Sequence, residues 1–259
     1  MRRPMTERVT VVGLRGVPLV RQGDDLAAIA VAALAASALS PEDGDVLVVA
    51  QKIVSKAEGR VVEIASVEPS PRAVELAAKV EKDPRLVEII LSESRRVVRH
   101  RPNLLIVEHR LGYVMANAGI DHSNVADDDG GERVLLLPLD PDASAEALRQ
   151  RLCAHFGKRL AIVVSDSFGR PWRRGTVGVA LGAAGLPAMI DWRGHPDLFG
   201  RPLLVTETGF ADEIAAAASL VMGQADEAMP IALVRGLTWS APELPGLALV
   251  RPAEHDLFR

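Results

Sequence analysis

The chain has one cysteine, Cys153, in 259 residues. That excludes an internal disulfide and any multi-cysteine zinc site, and it fits a reducing cytoplasm. Cys153 falls in a helical pattern, where it reads as packing. The six histidines, at 100, 109, 122, 155, 195 and 255, show no paired metal-ligand spacing. His122 reads as a turn residue. No Gly-x-x-x-x-Gly-Lys-Ser/Thr loop and no Gly-x-Gly-x-x-Gly occur, so any nucleotide is held by other means than a P-loop or a Rossmann turn. No Gly-x-Ser-x-Gly elbow is present, and nothing supports cysteine catalysis. The net charge of −4 gives no support to nucleic acid or an anionic membrane as partner. The apolar stretch 26–39 is too short to span a bilayer. Asp24 and Asp25 precede it, which is the wrong charge for a signal peptide. Lysine is scarce, at five of 30 basic residues.

What is present reads as α+β, with mixed sheets flanked by helices. Strands are predicted at 10–14, 45–50, 104–109, 112–117, 133–138, 160–165, 203–206, 231–234 and 247–250. Helices are predicted at 25–39, 71–82, 85–95, 143–156 and 212–222. Ser70 and Asp83 stand before Pro71 and Pro84 as caps, Gly157 stops one helix, and Gly223 caps another. Residues 1–259 are expected to form one unit, with two intertwined subdomains as the alternative.

The run Ala161 to Ser165 ends in Asp166 and Ser167, and Arg170, Arg173 and Arg174 follow. Strand ends in α/β folds are where ligand sites sit. A carboxylate and a hydroxyl suit a hard divalent cation. Arginines suit phosphate or carboxylate. Asp121, in a glycine-containing turn, is a second carboxylate after a strand. Either aspartate could equally be a turn or cap residue. Two of the five lysines, Lys52 and Lys56, follow the strand at 45–50. They suit phosphate contacts or a solvated face. The cluster 127–131 does not fit an EF-hand loop and reads as a solvated turn.

In order, these segments resemble the gamma-glutamyl ligases that extend the tail of the deazaflavin coenzyme F-420. The resemblance is carried by Gly16-Val-Pro-Leu-Val20 with Gly23-Asp-Asp-Leu26, by Gly44 to Val49 with Ser55-Lys-Ala-Glu-Gly-Arg60, and by Asn117-Ala-Gly-Ile-Asp-His-Ser-Asn124. It continues through Leu137 to Asp142, Ser165-Asp-Ser-Phe-Gly-Arg170 with Arg173-Arg-Gly175, Asp191 to Gly194, Asp212 to Ala216, and Met222-Gly223 with Val234-Arg-Gly236. It spans nearly the whole chain.

The resemblance implies a GTP-dependent ligase that adds L-glutamate to the coenzyme precursor through an acyl phosphate. It also implies Mg²⁺ or Mn²⁺ at two sites, K⁺, a cytoplasmic homodimer, and no fused C-terminal flavin domain in this chain. Metal would fall on Asp121, Asp166, Ser167 and Gln224. GTP would contact Val17, Pro18, Leu19, Val20, Gln51, Lys52, Lys56, Asn124, Met222, Gly223, Gln224, Ala225, Asp226, Glu227, Ala228 and Met229. Position 224 is Gln where a carboxylate can occur in relatives, which weakens a second metal site. Position 167 is Ser where Thr can occur, which keeps the oxygen ligand. Arg170, Arg173 and Arg174 are candidates for an anion of the acceptor or of glutamate. The rival readings are another carboxylate–amine ligase, a non-catalytic nucleotide sensor and a metal-dependent phosphohydrolase.

Overall fold

In a computed structural model, residues 6–122 and 131–257 are described. The elements run β1 (Thr10–Gly13), α1 (Leu26–Ala36), β2 (Val46–Ala50), α2 (Gln51–Ala57), β3 (Val61–Glu63), α3 (Pro71–Val80) and α4 (Pro84–Ser92). Next come β4 (Ser94–Arg101), β5 (Leu104–His109), β6 (Val114–Ala116), β7 (Arg133–Leu135), α5 (Pro141–Phe156), β8 (Ala161–Arg170) and β9 (Arg173–Ala184). The last are β10 (Ile190–Asp191), β11 (Glu207–Thr208), α6 (Phe210–Met222) and β12 (Ile231–Arg235). The α+β expectation holds.

The main sheet has the order β1-β12-β2-β8-β9, with β2 and β8 parallel and the other pairs antiparallel. Both of its faces are covered, which explains why β2 is apolar at every position. Leu47 and Val49 pack with Leu34 of α1 and Leu148 and Leu152 of α5. Val46 and Val48 point the other way, onto Ala211, Ala215 and Ala218 of α6. A three-stranded sheet, β4-β5-β6, is covered by α3 and α4 through Val80, Val87 and Ile90. The two-stranded β3–β7 pair lies beside it.

The caps follow the sequence. Asp25 accepts from Ala27 and Ala28, Ser70 from Ala73, Asp83 from Arg85, and Asp140 from Ala143. Gly157 adopts φ 64° at the end of α5, and Gly223 closes α6.

Four expectations are corrected. The helix predicted at 85–95 stops at Ser92, because β4 begins at Ser94. No strand covers 203–206; the short strand there is β11, at 207–208. Residues 247–250 lie not in a strand but largely in a 3₁₀ turn, Gly246–Leu249. The strand predicted to end at Ser165 runs on to Arg170 and turns into β9 as a long hairpin. Small residues hid β9. A side chain at Gly178 would sit 2.4 Å from the Ala215 carbonyl oxygen of α6, and one at Gly182 would sit 2.2 Å from the Pro141 oxygen of α5. The two helices approach β9 too closely for anything but glycine.

Candidate functional site

β2 passes into α2 without a loop, so Gln51 and Lys52 stand at the carboxyl end of the central strand. Gln51 is buried. Its Oε1 accepts from the Ser55 hydroxyl at 2.9 Å, and its Nε2 is buried without a hydrogen-bond partner. Lys52 and Lys56 are four residues apart and share one face of the helix. Lys52 Nζ lies 3.1 Å from Asp121 Oδ2. Burial lowers the Lys56 pKa, and the Lys52 charge lowers it further. The pair therefore forms a half-buried positive surface, not a solvated face.

Asp121 is placed by an unusual turn. Asn117, Ala118 and Gly119 take φ of 49°, 55° and 67° in succession. Left-handed backbone in consecutive non-glycine residues stores strain, which persists where packing fixes it. Ala118 is fully buried here. After the turn, Asp121 and Leu135 exchange backbone hydrogen bonds at 3.0 and 2.9 Å. The Asp121 backbone is thus locked to β7. His122 follows it, exposed. Asn124 lies outside the described residues.

β8 brings the second carboxylate. Its parallel pairing with β2 ends at Ser165, so Asp166 is the first residue free of that neighbour. The strand itself continues, and the site is where a sheet neighbour ends, not where the strand ends. Burial pushes the Asp166 carboxyl up to about 7. The Ser167 backbone N–H and Lys52 oppose the shift, and the Asp121 charge adds to it. Asp166 and Ser167 point to opposite faces of the strand. Ser167 Oγ donates to Gln224 Oε1 at 2.8 Å. Two oxygen sets result: Asp121 with Asp166 beside Lys52, and Ser167 with Gln224 beyond α6. Among the described residues no group of three or more His, Cys, Asp and Glu side chains is placed to hold a metal. A hard cation fits this chemistry nonetheless. Mg²⁺ is commonly bound by one or two carboxylates and completed by water and substrate oxygens. Burial, with the Asp121 charge adding to it, raises the Asp166 carboxyl, and Lys52 offsets only part of that shift.

The other predicted residues divide. In the 17–20 loop, Val20 is buried and Val17 partly so, while Pro18 and Leu19 are exposed. Met222 at the end of α6, and Gly223 and Met229 in the loop after it, are partly buried, and Ala225, Asp226 and Ala228 are exposed. Glu227 bends back to accept from the Ala225 N–H at 2.8 Å, and backbone donors hold its pKa below the usual value. Gly223, Glu227 and Met229 line a groove of about 710 Å³ with Gly13, Arg15 and Ser37. Neither aspartate of the site lines that groove.

The three arginines separate. Arg173 and Arg174 are exposed at the tip of the hairpin, while Arg170 Nη1 is buried and has no hydrogen-bond partner. Asp191, a potential local partner, is held by Arg193 at 2.6 Å. Sequence reasoning missed α2, the left-handed turn and the Ser167–Gln224 contact. Three adjacent small or polar residues, Asn117-Ala-Gly119, were the one available signal for the turn.

Comparison with known proteins bears on this geometry. A family model described as F420-0:Gamma-glutamyl ligase matches residues 15–236. A protein of Methanothermobacter thermautotrophicus called Coenzyme F420:L-glutamate ligase is 47% identical over 97% of this chain and 99% of its own. Proteins of the same name from Archaeoglobus fulgidus and Haloarcula marismortui are 45% and 46% identical, over 97% and 96% of this chain and 97% and 95% of theirs. Among the described residues no helix is long and apolar enough to cross a membrane.

Proposed function

The chain belongs to the F420-0:gamma-glutamyl ligase family, and from that premise we propose that it joins L-glutamate to the deazaflavin coenzyme precursor using GTP. The observation that carries the reading is the convergence of Asp121, Asp166, Lys52 and Lys56 from separate parts of the chain. Phosphoryl chemistry needs this mixture of cation-holding carboxylates and fixed positive charge.

A carboxylate and an amine do not condense unaided in water. In the proposed reaction the acceptor carboxylate attacks the γ-phosphorus of GTP. The bond to the β-phosphate oxygen breaks, giving GDP and an acyl phosphate. The amine of glutamate then attacks the acyl carbon, inorganic phosphate leaves, the nitrogen gives up its proton, and the amide remains. Neither step needs a side-chain nucleophile.

Asp121 and Asp166 would hold one divalent cation, and Ser167 and Gln224 a second. Mg²⁺ or Mn²⁺, when bound there, would neutralise phosphate oxygens and polarise the transferring group. Lys52 stands against Asp121 and orients it. Lys56, half-buried with its positive charge crowded by Lys52, is suited to a phosphate anion. Gln51 Nε2, buried and lacking an acceptor, is suited to a nucleotide oxygen. The proposal includes K⁺ and a homodimeric assembly. The precursor brings a phosphodiester as well as the reacting carboxylate, so the enzyme must hold several anions together.

Incubation with GTP, Mn²⁺, L-glutamate and the precursor, followed by mass spectrometry, tests the reading. Glutamylated product and one phosphate per bond are expected. Phosphate released by GTP alone at the same rate would favour a phosphohydrolase, and GTP binding without turnover would favour a sensor.

A further inference from the structure

We propose that Arg170 binds an anionic group of the acceptor remote from its reacting carboxylate, an assignment that rests on the ligase reading above. β8 is regular from Ala161 to Arg170, because the extra residues at both irregularities lie on β9: Leu181 in the first, Arg174 and Gly175 in the second. Regular pleating puts Asp166, Phe168 and Arg170 on one face. That face looks toward the β5–β6 connection, where the Phe168 ring meets the edge of Tyr113 with centroids 6.2 Å apart. A carboxylate, an aromatic ring and a guanidinium therefore follow one another along the strand. Four residues of strand separate Arg170 from Asp166 by about 13 Å.

Five other partly buried arginines among the described residues, Arg60, Arg85, Arg110, Arg149 and Arg235, each hold a carboxylate at 3.0 Å or less. Arg110 Nη2 is also buried without a partner, but its Nε is on Glu93. Arg170 Nη1 is buried with no acceptor. A guanidinium cannot escape burial by losing its proton. A buried donor that carries full charge calls for an anion to complete it. The planar fork matches a phosphodiester or a carboxylate. The acceptor's phosphodiester is an anion that the reaction leaves unchanged, so it can stay on Arg170 while the carboxylate reacts near Asp166. Arg173 and Arg174, exposed at the tip, are not part of this contact.

The test is steady-state kinetics on Arg170→Gln and Arg170→Lys, with GTP, glutamate and acceptor varied in turn. Calorimetric titration of the acceptor into each enzyme without GTP accompanies it. Arg170→Gln is expected to raise the acceptor KM and Kd by about tenfold or more, the loss of one charge-assisted hydrogen bond. Arg170→Lys should recover part of that loss, and the constants for GTP and glutamate should not move. A rise confined to the glutamate KM overturns the assignment to the acceptor. So do unchanged constants, failure of both variants to fold, or a changed oligomeric state; the last two would make Arg170 a structural or interface residue. Wild-type enzyme that makes no glutamylated product rejects the ligase reading instead. The titration then decides Arg170: acceptor affinity that is absent in wild type, or equal in wild type and Arg170→Gln, overturns it.

Discussion

Glu93 is a buried carboxylate and Asp166 a partly buried one, and their pKa values move in opposite directions. Burial alone would push Glu93 up. The nearby His109 imidazole, and hydrogen bonds from Arg110 and Arg60, outweigh it and hold Glu93 at about 2. Arg60 and Arg110 lie 2.8 and 3.0 Å from Glu93 Oε2, and His109 Nε2 lies 3.4 Å away. The backbone N–H of Leu111 donates to His109 Nδ1, which leaves the imidazole proton on Nε2, facing Glu93. Asp166 has no such ring of cations. Burial dominates, the Asp121 charge adds to it, and the carboxyl rises to about 7. The difference separates a carboxylate that holds the fold from one that waits for a ligand. Around Glu93 the protein supplies the positive charge; around Asp166 it leaves that charge to be supplied from outside.

The comparison can be broken by exchanging the roles. The largest effect is expected at the ligand-seeking pair. Asp166→Asn and Asp121→Asn should each lower turnover by at least about 100-fold, since losing a metal ligand exceeds the loss seen for its supporting partners. Circular dichroism should show the fold intact. Near-normal turnover in either variant would remove the aspartates from the chemistry. Glu93→Gln should do the reverse. It strands Arg60 and Arg110 around a neutral amide, and breaking a buried ion network typically costs about 3–5 kcal/mol. Denaturant unfolding should register that loss, and a stability equal to wild type would show the network to be dispensable.

A smaller effect is expected at Lys56, whose partly buried positive charge stands on the same helix face as Lys52. Lys56→Ala should weaken GTP binding by about tenfold, the scale of one charged contact. Unaltered GTP affinity by calorimetry would remove Lys56 from the nucleotide contacts.

The smallest effect is in the pH dependence of stability without metal. The folded-state pKa of Asp166 lies above the usual 3.8, so its contribution is fully present below about 3.8 and is lost as pH rises through about 7. The folded-state pKa of Glu93 lies below the usual 4.5, so its contribution is present above about 4.5 and is lost as pH falls through about 2. Metal-free Asp166→Asn should therefore melt higher than wild type near pH 8, and Glu93→Gln lower. Identical pH profiles for wild type and both variants would refute the contrast.

The two regions were unequally legible in the sequence. Asp166 and Lys52 were visible because β8 and β2 are apolar runs that stop at polar residues, and Asp121 because it follows a strand-like run in a glycine-containing turn; all of this is local information. Helix caps were legible for the same reason: Asp25, Ser70 and Asp83 act within three residues of themselves, while the Asp140 cap went unread because its helix was expected to start at 143. The Glu93 network was not legible. Its members, Arg60, Glu93, His109 and Arg110, come from a loop, a helix end and the end of a strand, and only the tertiary fold joins them. β4 escaped because Ser94-Arg-Arg-Val-Val-Arg-His-Arg101 is charged along most of its length. Its strand character comes from pairing with β5, not from an apolar face. The separation of Ser167 from Asp166 onto opposite faces required knowing that the strand continues. The sequence reading ended that strand at Ser165.

The measurement closest to the central claim is calorimetric titration of Mn²⁺ into metal-free wild type and Asp166→Asn at pH 6 and pH 8. An unsatisfied carboxyl with a pKa of about 7 must lose a proton to hold a cation. Wild type should therefore bind Mn²⁺ more tightly at pH 8 than at pH 6, with protons released at the lower pH, and Asp166→Asn should lose that binding. Equal Mn²⁺ affinity in the two proteins, or wild-type affinity independent of pH, would contradict the account.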